Sequence, residues 1–324
     1  MKGKQWIKIE SRYVTYDIKI NRNITVITGE SGTGKTSLKK VLQRFIETGG
    51  KIGVKITASC NYKVMSNAWE DFKNNVLATR NSIILIDEGA AYIRSKDFAK
   101  IVNKSSNYFV ILTRAPLPNL AYSYKEVYEL ISEKRGTRYY TSNTPLYKVA
   151  TPKEIPDAIL TEDVGSGHDM LVALFGDTVL NTVDSSKTHI NAYIEKYSVD
   201  RKLLILADGA AFGPEISKVY NKLQDTAFMF DLWLPESFEE LLLTSRIVTR
   251  GDVDEILQDP ASQIASELFP SWERFYTWLV CDITKNKSYM AYSKSRLPKW
   301  YMTENNLEKF KAILPEVLKR LITN

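Results

Sequence analysis

A glycine-rich stretch has the residue types and spacing of a phosphate-binding loop. It reads Gly29-Glu30-Ser31-Gly32-Thr33-Gly34-Lys35-Thr36, with Ser37 next, and fits GxxxxGK[ST] without a mismatch. Glycines let successive backbone N–H groups point at phosphate oxygens, and the positive end of the following helix dipole adds to the attraction. Lys35 would reach the β- and γ-phosphates, and the Thr36 hydroxyl would bind Mg²⁺. The pattern predicts that residues 29–37 bind a nucleoside triphosphate.

Two carboxylates follow an unbroken apolar run. The run, residues 82–86, is typical of a buried parallel strand, and Asp87 and Glu88 come directly after it. Asp87 suits the coordination shell of magnesium, and Glu88 suits the polarisation of an attacking water molecule. Taken alone, such a pair is often an ordinary strand end, but the complete loop earlier in the chain favours a catalytic pair.

The elements around these residues predict an α/β domain. Residues 14–20 alternate as a strand does, and residues 24–28 form a β-branched run that leads into the loop. A helix is expected over residues 36–47, directly after the loop. Further candidate strands cover residues 53–58 and 126–131.

Residues 1 to about 140 resemble the P-loop ATPases of the ABC, SMC and AAA type. The resemblance rests on the loop, the strand ending in Asp87 and Glu88, and the N-terminal strand pair. It implies a parallel sheet, ATP with magnesium, and a γ-phosphate sensor after strand 108–112, a position that Thr113 occupies. Arg114 is either an arginine finger or a surface arginine.

The chain also departs from that family. It has no LSGGQ-like signature and no histidine after Leu112, so dimerisation through a signature motif is not implied. No NKxD motif occurs at the expected place, and adenine is therefore assumed as the base. The acidic pair favours water over a small molecule as the phosphoryl acceptor.

Carboxylates also follow two predicted strands in the second half of the chain. Glu162 follows the apolar run 158–161, and Asp208 follows the run 202–207. Alternating strands and helices predict a second parallel α/β domain, in which the two side chains lie at neighbouring strand ends. Carboxylates beside glycines suit a Mg²⁺ or Mn²⁺ site for phosphoryl chemistry, with Glu162 and Asp208 both as ligands and as catalytic residues.

This half resembles the Toprim domain of topoisomerases, primases and the overcoming-lysogenization-defect nucleases. Their first strand ends in a glutamate, matched by Glu162, and a later strand ends in Asp-x-Asp. Here the later motif is Asp208-Gly209-Ala210, so the second aspartate is missing. Candidates for a replacement ligand are Glu215, Asp231 and Glu239. The alternative is a plain Rossmann-like domain whose strand-end acids cap helices.

Three other features have two interpretations each. The basic, aromatic stretch 285–301 either contacts nucleic acid or is a solvated loop with aromatic side chains in the core. His168 either contacts a phosphate or simply starts a helix, and Lys187 is a candidate for steadying a phosphate. Residues 132–156 are either a connector or a strand pair closing the first domain.

Composition sets the remaining limits. The net charge of +6 and the isoelectric point near 9.0 permit nucleic-acid binding without requiring it. The two cysteines and two histidines have no zinc-ligand spacing. No apolar run reaches the roughly 18 residues of a membrane helix, so a cytoplasmic protein with no membrane partner is expected. The expected domains are residues 1–142 and 143–324.

The leading functional hypothesis is an ATP-hydrolysing P-loop protein coupled to a Toprim-like, metal-dependent nuclease. The resemblance implies a mobile element, a phage or an anti-phage defence system, and a homo-oligomer or partner-regulated assembly. One alternative is an ATP-driven switch that binds DNA or protein and carries an inactive Toprim-like scaffold. Another is phosphoryl transfer to a small molecule.

Overall fold

The computed structural model describes residues 1–29, 34–50, 53–162, 164–181, 189–198, 200–225 and 227–323. The chain forms two compact units, one of Met1–Tyr147 and Asp259–Ser271 and the other of Lys148–Gln258 and Trp272–Asn324. The segment Asp259–Ser271 is tied to the start of the chain, since the Gly3 N–H donates to the Ala261 carbonyl at 2.8 Å. In the described ranges, no helix is both long and apolar enough to cross a membrane.

The strands form two sheets, one in each unit. Their bounds are β1 Gln5–Ser11, β2 Val14–Ile20, β3 Ile24–Ile27, β4 Val54–Ala58, β5 Asn61–Val64, β6 Ser82–Ile86, β7 Tyr108–Leu112, β8 Val127–Arg135, β9 Arg138–Pro145, β10 Ala158–Thr161, β11 Val179–Asn181, β12 Leu203–Leu206 and β13 Phe230–Trp233.

Helices lie between and after these strands. Their bounds are α1 Lys35–Thr48, α2 Trp69–Leu77, α3 Lys96–Val102, α4 Ser166–Phe175, α5 His189–Tyr197, α6 Gly213–Leu223, α7 Phe238–Thr244, α8 Val253–Gln258, α9 Pro260–Gln263, α10 Trp272–Thr284, α11 Glu304–Ile313 and α12 Glu316–Thr323.

The sheet of the first unit has the order β4-β1-β2-β9-β8-β3-β7-β6-β5. Strands β8, β3, β7, β6 and β5 run parallel to one another, whereas β1 and β2 pair antiparallel, as do β8 and β9. The expected α/β class is confirmed, but this sheet is mixed rather than wholly parallel. The reason is that residues 12–13 and 136–137 are two-residue connections, which can join only antiparallel strands. The stretch 132–156 therefore contributes a strand pair to the first unit.

Both faces of the parallel region are covered. Leu38 and Leu42 of α1 pack on one face, together with Ile83 and Leu85 of β6. On the other face, aromatic rings of α2, α3 and neighbouring segments contact one another: Trp69, Phe72, Tyr92, Phe98 and Phe109. Burial on both faces explains the continuous apolar runs in β6 and β7.

The sheet of the second unit is parallel throughout, with the order β11-β10-β12-β13. Thr161, the last residue of β10, is level with Leu206, the last residue of β12. The two strands therefore end at the same edge of the sheet. The predicted second α/β unit with a small parallel sheet is present.

Candidate functional site

The described part of the glycine-rich loop has a backbone that favours glycine. Gly29 has a φ of +124° and Gly34 a φ of +92°, and side chains are rarely tolerated at such angles. Four predicted binding residues, Glu30, Ser31, Gly32 and Thr33, lie outside the described residues. The loop comes directly after β3. Thr28, the first residue beyond this strand, still donates its backbone N–H to the Tyr128 carbonyl at 2.8 Å.

Helix α1 begins at the end of this loop. The N-cap residue is Gly34, which has no side chain to cap the first backbone N–H groups, and such groups at a helix N-terminus are the ones that bind anions. Thr36 and Ser37 are exposed, whereas Lys35 is buried, with its ammonium donating to the Gly29 carbonyl. Burial lowers the pKa of Lys35, Arg114 lowers it further and Glu88 raises it. Burial disfavours the charged form of this ammonium, and the negative charge of a bound phosphate would offset that effect.

Asp87 comes directly after β6, two strands along the sheet from the strand that leads into the loop. Strand β7 runs between β3 and β6, so the loop and Asp87 follow strands separated by one strand. Asp87 is buried, and within the described chain neither of its carboxylate oxygens has a hydrogen-bond partner. The Lys39 ammonium of α1 lies 3.4 Å from Oδ2. These oxygens and the Thr36 hydroxyl are a donor set that fits magnesium.

Glu88 and Thr113 have local partners in this conformation. The Glu88 carboxylate pairs with the Arg114 guanidinium at 3.3 Å. The buried Thr113 hydroxyl donates to the Ala115 carbonyl at 3.0 Å and accepts from the Ala115 N–H at 3.2 Å. Arg114 is thus placed beside the predicted catalytic glutamate. Lys39 is the residue of this site that the sequence analysis missed, although its position one helical turn after Lys35 was a usable signal.

In the second unit, Glu162 and Asp208 follow the neighbouring strands β10 and β12 and line one small pocket. Glu239, in the first turn of α7, lines the same pocket. The pocket has a volume of about 50 Å³, which accommodates an ion with a few water molecules. Of the three candidate replacement ligands, the structure brings Glu239 to the site. Asp231 instead pairs with Lys202 at 3.5 Å, and Glu215 lies outside the pocket.

Asp208 is held by two contacts. Its Oδ1 accepts from the Phe238 backbone N–H at 3.2 Å, and its Oδ2 lies 3.4 Å from the Lys294 ammonium. Burial raises the pKa of Asp208 well above its ordinary value, and the carboxylate of Glu273 raises it further. Lys294 lowers this pKa, whereas Glu239 and Glu162 add to the increase. The pocket therefore carries more negative charge than its lysine balances.

Glu239 is fully buried. Its Oε1 accepts from the Tyr292 hydroxyl at 2.8 Å, while Oε2 has no hydrogen-bond partner among the described atoms. Tyr292 is positioned in turn by Ser166, whose hydroxyl oxygen lies 2.6 Å from the tyrosine oxygen. A buried carboxylate oxygen without a partner is costly, and a bound cation would remove that cost.

Lys294 lines the pocket, a position that the sequence analysis did not predict, since it placed this lysine only in the basic stretch that either contacts nucleic acid or is a solvated loop. Its ammonium contacts Glu273 of α10 as well as Asp208. Burial by itself would lower the pKa of Lys294, but the attraction of Asp208 and Glu273 raises it. Lys294 belongs to the basic stretch 285–301, in which Tyr292 and Tyr301 are buried. For these two rings, the interpretation as core aromatics is confirmed.

His168 lies in the first turn of α4 and lines the same pocket. Its Nδ1 is 3.0 Å from the Thr161 hydroxyl oxygen, and that hydroxyl lies 3.3 Å from the Leu180 carbonyl. If the hydroxyl donates to Leu180, the histidine proton lies on Nδ1. Lys187, the other phosphate candidate, lies outside the described residues.

No group of three or more His, Cys, Asp or Glu side chains is arranged to hold a metal ion in the conformation of the described residues. In the second pocket, the ammonium of Lys294 supplies positive charge to Asp208. The donor chemistry of Glu162, Asp208 and Glu239 nevertheless fits a hard divalent cation, since all three offer carboxylate oxygens.

Comparisons with known proteins add little to this description of the two sites. No protein-family model matches the chain, and no curated protein matches it. Among solved structures, the chain has a slight similarity to PlmKR1, the ketoreductase from the first module of phoslactomycin biosynthesis in Streptomyces sp. HK803. The identity is 10%, the TM-score is 0.13, and the match covers 81% of this chain and 60% of the ketoreductase chain. A likeness at that level carries no argument about fold or function.

Proposed function

We propose that the first unit binds ATP with magnesium and hydrolyses it, as a P-loop ATPase does. The observation that carries this proposal is the position of Asp87, which follows a strand that one other strand separates from the loop strand. Its buried oxygens have Lys39 as an ion-pair neighbour but no hydrogen-bond partner among the described residues. Thr36 and Asp87 would hold the magnesium ion, which neutralises phosphate charge when bound. Lys35 binds the terminal phosphates, and Glu88 accepts a proton from the attacking water after its pairing with Arg114 loosens.

The second unit is proposed to be a Toprim-like nuclease domain that depends on Mg²⁺ or Mn²⁺. The supporting observation is the convergence of Glu162, Asp208 and Glu239 on one pocket. These carboxylates would hold the cation, and Lys294 would contact the phosphate of the nucleic-acid backbone. ATP binding in the first unit is proposed to control this activity, in a system of a phage, a mobile element or anti-phage defence.

A second candidate function is favoured by Lys294. Because its ammonium already pairs with Asp208 and Glu273 and supplies part of their counter-charge, the pocket can be stable with no metal ion. The second unit would then be an inactive scaffold, and the protein an ATP-driven switch that binds DNA or protein.

The deciding experiment measures cleavage of plasmid and single-stranded DNA with Mn²⁺, with and without ATP. Wild type is compared with Asp208→Ala, Glu239→Gln and Lys35→Ala, and Glu240→Gln is the matched control because it is the next residue of α7 outside the pocket. The nuclease proposal expects cleavage that both pocket variants lose, that Glu240→Gln keeps and that Lys35→Ala alters. Lys35-dependent ATP hydrolysis without cleavage in any sample would establish the switch instead.

A further inference from the structure

The hairpin of β8 and β9 extends past the phosphate loop. Strand β8 pairs with β3 at Val26 and Ile27, next to the loop, and then continues to Arg135. Each further residue of an extended strand adds about 3.3 Å. The end of the hairpin therefore lies well beyond the point where β3 gives way to the loop.

One face of this hairpin is turned toward the loop. A Cβ placed on Gly34 would lie 3.5 Å from the Ser132 hydroxyl oxygen, and that oxygen lies 2.8 Å from the hydroxyl oxygen of Thr141 on β9. From β2, which pairs with β9, the Tyr16 hydroxyl donates to the Gly34 carbonyl at 3.1 Å. Ser132, Thr141 and Tyr16 thus mark the face of the sheet that touches the last glycine of the loop.

Lys134 and Tyr139 continue this face. Side chains alternate along a strand, so Lys134 lies on the side of Ser132, and Tyr139 on the side of Thr141. The two residues are directly opposite in the register, and the Lys134 ammonium lies 6.0 Å from the centre of the Tyr139 ring. Tyr139 is 45% exposed, so its ring is open to solvent. The adjacent Tyr140 points to the opposite face, where Arg135 covers it.

Sheet order indicates where a nucleotide base would lie. The predicted magnesium ligand Asp87 follows β6, and β7 and β6 lie on one side of the loop strand, whereas β8 and β9 lie on the other. The terminal phosphate is drawn toward the magnesium side by charge. The base, at the other end of the nucleotide, then points toward β8 and β9, where Tyr139 is exposed.

We propose that Tyr139 and Lys134 form the nucleobase subsite of the loop, with the base stacked on the tyrosine ring and the lysine beside it. This inference rests on the proposed function of the loop as a nucleotide site. Stacking on an aromatic ring needs only the π-face of the base, and the lysine adds positive charge near a ligand that carries several negative charges.

The test compares two ligands that each have a chain of three phosphoryl groups, only one of which carries a nucleoside, that is, a base with its ribose. Binding of a non-hydrolysable ATP analogue and of inorganic tripolyphosphate is measured by calorimetry with magnesium. Tyr139→Ala is expected to weaken binding of the analogue about 5- to 150-fold, the range for loss of one aromatic stack, and to leave tripolyphosphate binding within about twofold. Tyr139→Trp is expected to restore binding of the analogue.

Tyr140→Ala is the matched control, because it removes the neighbouring ring on the other face of β9. Tyr13→Ala removes another exposed ring close to β9, whose Tyr139 N–H donates to the Tyr13 carbonyl. The inference is overturned if Tyr139→Ala leaves binding of the analogue unchanged, if it weakens both ligands equally, or if Tyr13→Ala alone reproduces the loss. It is also overturned if wild type binds both ligands equally. Failure of wild type to bind even tripolyphosphate would reject the proposed nucleotide site itself.

Discussion

Both candidate sites place a lysine ammonium against a strand-end aspartate, but the charge around the two pairs differs. Lys39 lies 3.4 Å from Asp87, and Lys294 lies 3.4 Å from Asp208. Lys39 has this one carboxylate within ion-pair distance in the described structure, whereas Lys294 also contacts Glu273, in a pocket that contains Glu239. In the first site the charges of one lysine and one aspartate balance, whereas in the second site one lysine faces an excess of carboxylates.

This difference suggests how each site would accept a divalent cation. In the first unit a magnesium ion would compete with one lysine for one aspartate. In the second unit burial raises the pKa of Asp208, and repulsion from neighbouring carboxylates raises it further, so a proton or a metal ion would relieve this strain even with Lys294 in place. The first site should therefore respond to loss of its lysine through metal affinity, and the second mainly through stability.

The largest expected effect is that of Lys35→Ala. Removal of the ammonium that binds the terminal phosphates should lower ATP hydrolysis about 100-fold or more, as loss of a transition-state donor does elsewhere. Steady-state phosphate release measures this change. Lys40→Ala, an exposed lysine on the same helix, is the control and should keep the activity. Equal activity of Lys35→Ala and wild type would contradict the proposal that the first site hydrolyses ATP.

Lys294→Met tests the excess of carboxylates in the second site. Without the ammonium, Asp208 and Glu273 lose their shared counter-charge, and we expect a loss of about 1–2 kcal/mol, reduced from the buried-pair value because Lys294 is partly exposed. Thermal unfolding should show a midpoint a few degrees lower. Mn²⁺ should restore the midpoint of this variant more than it raises that of wild type.

Lys285→Met is the control for that measurement, since Lys285 pairs with Asp282 on the surface. It should change the midpoint little. If Mn²⁺ gives Lys294→Met no extra stability, the pocket does not use a metal ion, and the inactive scaffold becomes the better account of the second unit.

Asp208→Asn tests the same excess through pH. The folded-state pKa of Asp208 is raised, so its contribution to stability is fully present below the unfolded pKa of about 3.9 and is lost as pH rises through the folded value. The variant cannot ionise and escapes that loss. Its free energy of unfolding relative to wild type should therefore increase from about pH 4 upward, as urea titrations at several pH values would show. If the free energies of unfolding of the variant and wild type depend on pH in the same way, the folded protein does not raise the pKa of Asp208.

The two sites also differ in how far the sequence alone could predict them. The loop and Asp87 with Glu88 are contiguous motifs on buried strands, and β2 and β7 have the predicted bounds. Glu162 and Asp208 were found in the same way, because each follows an apolar run. Strand β5 was missed, since its four residues are not strongly apolar.

The rest of the second pocket depends on tertiary contacts between residues far apart in the chain. Lys294 lies 86 residues from its partner Asp208, and Tyr292 lies 53 residues from Glu239. Nothing in the local pattern of 285–301 separates Lys294 from the other basic residues there. Glu239 remained one of three alternatives until the position of α7 was known. Such residues are selected by the fold and not by spacing.

The smallest expected effect is that of Lys39→Met, which tests the balanced pair. Because the ammonium and a magnesium ion compete for the Asp87 carboxylate, its removal should lower the magnesium concentration for half-maximal nucleotide binding. An ion pair of about 0.5–1 kcal/mol corresponds to a change of roughly two- to fivefold. Binding of a fluorescent ATP analogue, titrated with magnesium, measures this without turnover, and Lys40→Met is the matched control. A higher magnesium requirement in Lys39→Met would mean that Lys39 helps to bind the nucleotide phosphates. The second lysine of the first site would then act on the ligand and would not compete with magnesium for Asp87.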